Sequence, residues 1–252
     1  MTIPYYIYGK NPVLEILARS PKRVNKIYIQ ENISYDNRLK KIVEIAKDNH
    51  IIIQKVHAQK LKTMLEDDKN FQNVIASVAP VEYIELEEFL KVKTENFKKI
   101  VVLDSVQDPH NFGAIIRTAA AAGFDGILVA NHRSCPITSV VEKISSGAVN
   151  HIPIIKTTSL SASIDLLKKH DFWVIATEME AEDNYFEIDY TDMNFALVMG
   201  SEGSGISKTI LNKADFKVKI MSNFESLNVS NAAAVIIYEA VRQIYTKSKN
   251  HV

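Results

Sequence analysis

Three short stretches of the 252-residue chain gather side chains able to hold a polar, charged ligand. In DSVQDPHNFGAIIRT (104–118), Asn111, Gly113 and Arg117 sit between an apolar run, KKIVVL, and an Ala-rich segment. Asp108-Pro109 favours a turn, and Gly113 permits a close backbone approach at a helix start. Arg117 follows one helical turn later on the same face. A capped helix with a surface arginine accounts for Asn111 and Gly113 separately, but not for their combination with an Arg so near a strand end. In VMGSEGSGIS (198–207), Gly200, Gly203 and Gly205 make a loop whose N–H groups can face a ligand. Glu202 inside it is an acceptor able to orient a cation such as Arg117. In FESLNVSNAAAV (224–235), Ser226, Asn228, Ser230 and Asn231 crowd a helix start. Capping needs only one of them, so a polar pocket is indicated as well.

These loops need strand ends and helix starts to hold them. Residues 98–252 read as strands alternating with helices: KKIVVLDSV, AIIRTAAAAG, GILVA (126–130), SVVEKISSGAVN (139–150), IPIIKT (152–157), LSASIDLLKKH (160–170), FWVIATEM (172–179), FALVMG (195–200), DFKVKIM (215–221) and a last helix over 229–248. This pattern implies a parallel sheet covered on both faces, with ligands bound beyond the carboxyl ends of its strands. Residues 1–84 read as a smaller α/β module. NPVLEILARS is its first helix, with Asn11 as N-cap and Pro12 at the first helical position. Strands are expected over 24–30, 50–56 and 71–83, and helices over 35–50 and 57–65. The charged stretch ELEEFLKVKTENF (85–97) is expected to link the two parts.

Composition narrows the function classes. The chain is 46% hydrophobic and 24% charged, with no run apolar enough to span a bilayer. The start, MTIPYYIYGK, lacks a signal-peptide pattern. A cytoplasmic protein without membrane contact is expected. Its single cysteine, Cys135, excludes an internal disulfide framework and a Cys-based zinc site. His57 and His151 show no metal-like spacing, so no metal is expected. Net charge is zero, but residues 1–62 carry 12 Lys/Arg against 5 Asp/Glu, while 63–97 carry 3 against 8. The basic portion fits an electrostatic footprint for nucleic acid. The stretch 170–192, rich in acids and free of Lys and Arg, reads as a solvated acidic face. The Gly-rich loop is neither a dinucleotide fingerprint nor a P-loop, which disfavours a nicotinamide-dependent oxidoreductase.

The ordered set of motifs resembles the SpoU (TrmH-type) RNA ribose 2′-O-methyltransferases of the SPOUT superfamily. The Asn-x-Gly-x-x-x-Arg pattern appears as Asn111, Gly113 and Arg117, and the Gly-x-Glu-Gly loop as Gly200, Glu202 and Gly203. Ser-Leu-Asn-Val-Ser appears at Ser226, Leu227, Asn228, Val229 and Ser230, and EKISSGAVNHIPI is similar to the Lys-x-Ser-x-Gly-Ala segment. YIYGKNPVLEIL resembles the opening of the ribosomal-protein-like domain that precedes the catalytic domain in the ribosomal branch. The resemblance implies an α/β chain with an RNA-binding domain over 1–84, a linker over 85–97 and a knotted SPOUT domain over 98–252. It further implies S-adenosylmethionine as cofactor, contacted by Gly200, Ile220 and Leu227, and a catalytic set of Asn111, Arg117, Glu202, Asn228 and Ser230. Glu202 and Asn111 would hold Arg117.

The implied reaction is 2′-O-methylation of RNA, at a guanosine of large-subunit ribosomal RNA, by a homodimer with no DNA partner. Ile236, Ile237, Ala240, Val241 and Ile244 offer that dimer an apolar stripe. Transfer RNA as substrate and a catalytically silent RNA-binding homologue are the alternatives. One stretch departs from the family: Met221 and Ser222 follow Ile220 where Ile-Pro-Met is usual, which bears on the cofactor contacts of 219–225.

Overall fold

The structure is a computed structural model that describes residues 5–65, 71–94, 96–223 and 225–249. The chain forms two compact units, residues 1–81 with 137–151, and residues 82–136 with 152–252.

The first unit begins with β1 (Tyr5–Tyr8), α1 (Lys10–Arg19), β2 (Val24–Gln30), α2 (Asn37–Asp48), β3 (Ile52–Val56), α3 (Ala58–Thr63) and β4 (Val74–Val78). The sheet order is β1-β4-β2-β3, with β4 antiparallel to both neighbours and β2 parallel to β3. Val13, Ile16 and Leu17 of α1 and Leu39, Ile42 and Ala46 of α2 bury against Ile27, Ile29, Val74 and Ala76. Asp36 caps α2, its Oδ1 accepting from the Leu39 N–H at 2.9 Å. Asn11 is not the cap of α1. Gly9, at φ +91°, takes that place and makes Pro12 the third helical residue, where a missing N–H still costs nothing. Residues 137–151 belong to this unit. Arg23 donates to Glu142 Oε1 (2.6 Å), the Ala79 carbonyl (2.7 Å), Asn150 Oδ1 (2.5 Å) and the Tyr5 hydroxyl (2.6 Å). Tyr5 in turn donates to Glu142 Oε1.

The second unit holds β5 (Ile84–Glu85), α4 (Leu86–Lys91), β6 (Lys99–Asp104), α5 (Pro109–Ala121) and β7 (Gly126–Ala130). The chain then passes through α6 (Ser139–Ile144) of the first unit. It returns with β8 (Ile154–Thr157), α7 (Leu160–Lys169), β9 (Phe172–Thr177), β10 (Asp183–Asn184), β11 (Asn194–Gly200), α8 (Lys208–Leu211), β12 (Phe216–Lys219) and α9 (Val229–Lys249). The eight strands are all parallel, in the order β10-β12-β9-β11-β6-β7-β8-β5. They read as near-continuous apolar runs because both faces are buried; Ile100 to Leu103 are at most 1% exposed.

Two segments differ from the sequence reading. At the start of the expected linker, Ile84–Glu85 enter the sheet as β5, paired with β8, and α4 follows, its Leu86 and Phe89 buried in the core. The helix expected over 139–150 stops at Ile144, because Gly147 turns left-handed at φ +79° before a 3₁₀ turn over Ala148–Asn150. The acids of 170–192 face solvent as expected, all exposed but the half-buried Glu178, while the same stretch is anchored to the last helix. Tyr190 is buried, its N–H donates to Gln243 of α9 (3.0 Å), and Gln243 donates back to the Ile188 carbonyl (3.0 Å).

Candidate active site

The order of the large sheet reverses between β6 and β11. From β6 the chain moves to β7 on one side, while β11 lies on the other. Such a switch point opens a crevice at the strands' carboxyl ends. Asp104, the last residue of β6, stands in register with Gly200, the last of β11. Two of the three polar loops therefore leave the sheet side by side.

Each loop is fixed locally. Ser105 turns out of β6 at φ +64°, a strained conformation for a non-glycine residue. Asp104 accepts from the Ser207 N–H (2.8 Å), tying the exit of one loop to the far end of the other. Asp108 caps α5, with its Oδ2 accepting from the Asn111 N–H at 2.8 Å and Pro109 at the first position. The second loop closes on itself through paired backbone bonds between Ser201 and Gly205 (3.1 and 2.9 Å). Gly200 has no room for a side chain, since a Cβ there would lie 2.1 Å from the Gly205 carbonyl carbon. At the third loop, Asn228 caps α9: its Oδ1 accepts from the Ser230 N–H (3.0 Å) and hydroxyl (2.6 Å) and from the Asn231 N–H (3.4 Å).

The three loops meet in a closed ring of side chains. Asn111 Nδ2 donates to Glu202 Oε1 at 2.9 Å. Asn228 Nδ2 donates to Asn111 Oδ1 at 2.9 Å and also to Glu202 Oε1. Asn111 is 8% exposed, and the ring satisfies its amide on both sides. Beside the ring opens a cleft of about 530 Å³, lined by residues 105–108, Asn111, Arg133, residues 201–204 and Val229.

The predicted residues divide accordingly. Asn111, Glu202, Asn228 and Ser230 come together, with Gly200 at the base of their loop. Arg117 does not join them. It is exposed on α5 and makes no ion pair or side-chain hydrogen bond among the described residues. Asn111 and Glu202 hold Asn228 instead, because the buried face of α5 carries Asn111, Phe112, Ile115 and Ile116 and leaves Arg117 outside it. Ile220 is half-buried and Leu227 exposed, and neither lines the cleft. Ile236, Ile237 and Ala240 of the expected dimer stripe are buried within the chain, where α9 packs on α5. Arg133 lines the cleft from the loop after β7, and no spacing in the sequence marks it. Cys135 is buried, and burial, then the nearby Asp108 charge, pushes its thiol up, away from nucleophilic behaviour. Among the described residues no group of three or more His, Cys, Asp or Glu could hold a metal, and no helix is long and apolar enough to cross a membrane.

Residues 98–238, which carry all three loops, match the SpoU rRNA Methylase family. The chain belongs to that family. Residues 6–84 of this SpoU family member match the RNA 2′-O ribose methyltransferase substrate-binding family. A Staphylococcus aureus (strain MSSA476) protein named for the TrmH family of tRNA/rRNA methyltransferases is 40% identical over 94% of this chain and 95% of its own. The AdoMet-bound rRNA methyltransferase of Sinorhizobium meliloti shares the fold, with a TM-score of 0.80 at 24% identity over 96% of this chain and 88% of that one. The A. aeolicus TrmH/SpoU tRNA modifying enzyme is 33% identical, with a TM-score of 0.55, over 65% of this chain and 82% of its own.

Proposed function

We propose that the protein transfers a methyl group from S-adenosylmethionine to a ribose 2′-hydroxyl of RNA, at a guanosine of large-subunit ribosomal RNA. The observation that carries this reading is the Asn111–Glu202–Asn228 ring beside the cleft at the β6–β11 switch point. The donor set fits the cofactor. Gly203 leaves open space where a side chain would stand, Ser105 and Ser204 offer hydroxyls, and Val106 and Val229 give apolar wall. Asp108 and Glu202 place carboxylates where a sulfonium would be welcome. Support for ribosomal RNA comes from the S. meliloti enzyme, which shares both modules, whereas the tRNA-modifying enzyme covers 65% of the chain.

Bound S-adenosylmethionine supplies an electrophilic methyl on sulfur. The chain's own residues must position the hydroxyl and handle its charge. A hydroxyl is a poor nucleophile until its proton leaves. Arg117 cannot be the base, because a guanidinium stays protonated at neutral pH. It acts as a fixed positive charge that binds the adjacent phosphate and stabilises the developing alkoxide, while a phosphate oxygen or water takes the proton. Its exposure on α5 suits a site shared by the two subunits of a cytoplasmic homodimer. Asn228 holds Ser230 for the ribose or cofactor. Gly200, Ile220 and Leu227 stand outside the lining of the cleft; by the family resemblance they would hold the cofactor mainly through their backbone, and the chain before α9 would thread as the family's knot.

Methyl transfer from labelled S-adenosylmethionine to separated ribosomal and transfer RNA tests this reading. Label in the large ribosomal RNA, lost in Arg117→Ala and not restored in Arg117→Lys, is the expected result. Label confined to transfer RNA overturns the substrate, and an active Arg117→Lys overturns the guanidinium's geometric role.

A further inference from the structure

Among the residues lining the cleft, the acidic groups are Asp108 and Glu202, and the one cation is Arg133. Arg133 is therefore the positive charge that the lining of the cleft itself offers to a polyanionic RNA strand. The loop bearing Arg133 is built into the site. It leaves the carboxyl end of β7, the neighbour of β6, with the Asn131 N–H donating to the Thr157 carbonyl (2.7 Å). The Ser134 hydroxyl folds back onto the Ala130 carbonyl, and the Cys135 N–H donates to the Val106 carbonyl (3.1 Å), fastening this loop to the first one. Between these ties Arg133 adopts φ +59°, a left-handed conformation that costs a non-glycine residue stability. Its side chain is exposed and makes no ion pair or hydrogen bond among the described residues. A strained backbone thus presents an uncommitted guanidinium to the cleft, a planar fork matched to a pair of anionic oxygens.

We infer that Arg133 is a substrate-positioning residue that binds a phosphodiester of the RNA strand flanking the methylated ribose, other than the phosphate assigned to Arg117. This rests on the methyltransferase reading above. Both an RNA phosphate and the carboxylate of the cofactor's methionine moiety offer paired anionic oxygens. The solvent-exposed position of Arg133 favours the RNA.

The test compares the full-length wild type with Arg133→Gln and Arg133→Lys. Measured quantities are kcat, KM for RNA at several salt concentrations, and S-adenosylmethionine affinity by calorimetry. The glutamine variant is expected to raise KM about tenfold or more, the loss of one charged hydrogen-bond partner. It should also flatten the salt dependence by about one phosphate contact, with cofactor affinity and kcat unchanged. Lysine should restore the salt dependence and only part of KM, a split that loop damage would not give. An unchanged KM and salt slope overturns the inference. So does weakened cofactor binding with normal RNA KM, which would assign the guanidinium to the methionine carboxylate. Wild-type protein that methylates no RNA overturns the underlying reading itself.

Discussion

Asn228 performs two separable tasks, and substitution can divide them. Its Oδ1 caps α9, and its Nδ2 closes the ring with Asn111 and Glu202. Asn228→Ala removes both. Loss of an N-cap costs about 1 kcal/mol. A neutral hydrogen bond to Asn111 and a charged one to Glu202 contribute about 0.5–3 kcal/mol each when buried. Asn228 and Glu202 are both exposed, so solvent competition brings the ring's share to about 1 kcal/mol. The sum, about 2 kcal/mol, corresponds to a fall in Tm of roughly 4–8 °C for a unit of this size. Serine is an equally good cap but too short to span the ring. Asn228→Ser should therefore regain about half of that stability, while S-adenosylmethionine affinity stays as low as in the alanine variant. Calorimetric scanning and cofactor titration on the same samples provide both numbers. A serine variant that binds cofactor like the wild type would refute the claim that the ring, rather than the helix cap, shapes the site.

Other consequences are open to measurement. Gly200→Ala forces a Cβ to 2.1–2.4 Å from backbone atoms of Gly205 and Ile206, an overlap that moves the loop; a loss of at least about 2 kcal/mol in denaturant unfolding, with abolished cofactor binding, is expected. Glu142→Gln leaves the Arg23 guanidinium facing neutral acceptors only. Breaking a buried pair from one side should cost about 3 kcal/mol in the unfolding of the first unit. Burial, then the charge of Glu239, holds the Tyr190 hydroxyl well above its ordinary pKa, and it donates to the Tyr185 carbonyl at 2.6 Å. A raised folded pKa leaves stability intact below the unfolded value, about 10, and lost above it. Stability should fall by up to about 1.4 kcal/mol per pH unit above pH 10. Tyr190→Phe should flatten that slope in denaturation at pH 9–11.

Much of the site was legible because its chemistry needs side chains at fixed spacing from strand ends. Asn111, Glu202 and Asn228 stand out as polar residues where a strand hands over to a helix or a helix begins, and the sheet's topology brings their loops together. Local spacing does not report which face of a helix looks inward. Arg117 shares a turn with Asn111 in sequence, yet the apolar face of α5 that buries Phe112, Ile115 and Ile116 turns Arg117 to solvent. The buried stripe of α9 poses the same ambiguity, since periodicity alone cannot tell packing on α5 from packing on another chain. Arg133 is not legible in the sequence because a left-handed arginine has no sequence signature; tertiary ties to Val106 and Ala130 place it. The short β5 and β10 pair through two residues each, too few for a pattern to emerge.

The central claim is ribose methylation of RNA at the cleft between β6 and β11. Ribosomal RNA incubated with the wild-type protein and labelled S-adenosylmethionine, then digested to nucleosides, tests it most directly. Label recovered in a 2′-O-methylated guanosine from the large-subunit RNA is the predicted result. Label in a base-methylated nucleoside, or none in any RNA while the cofactor binds, would contradict it.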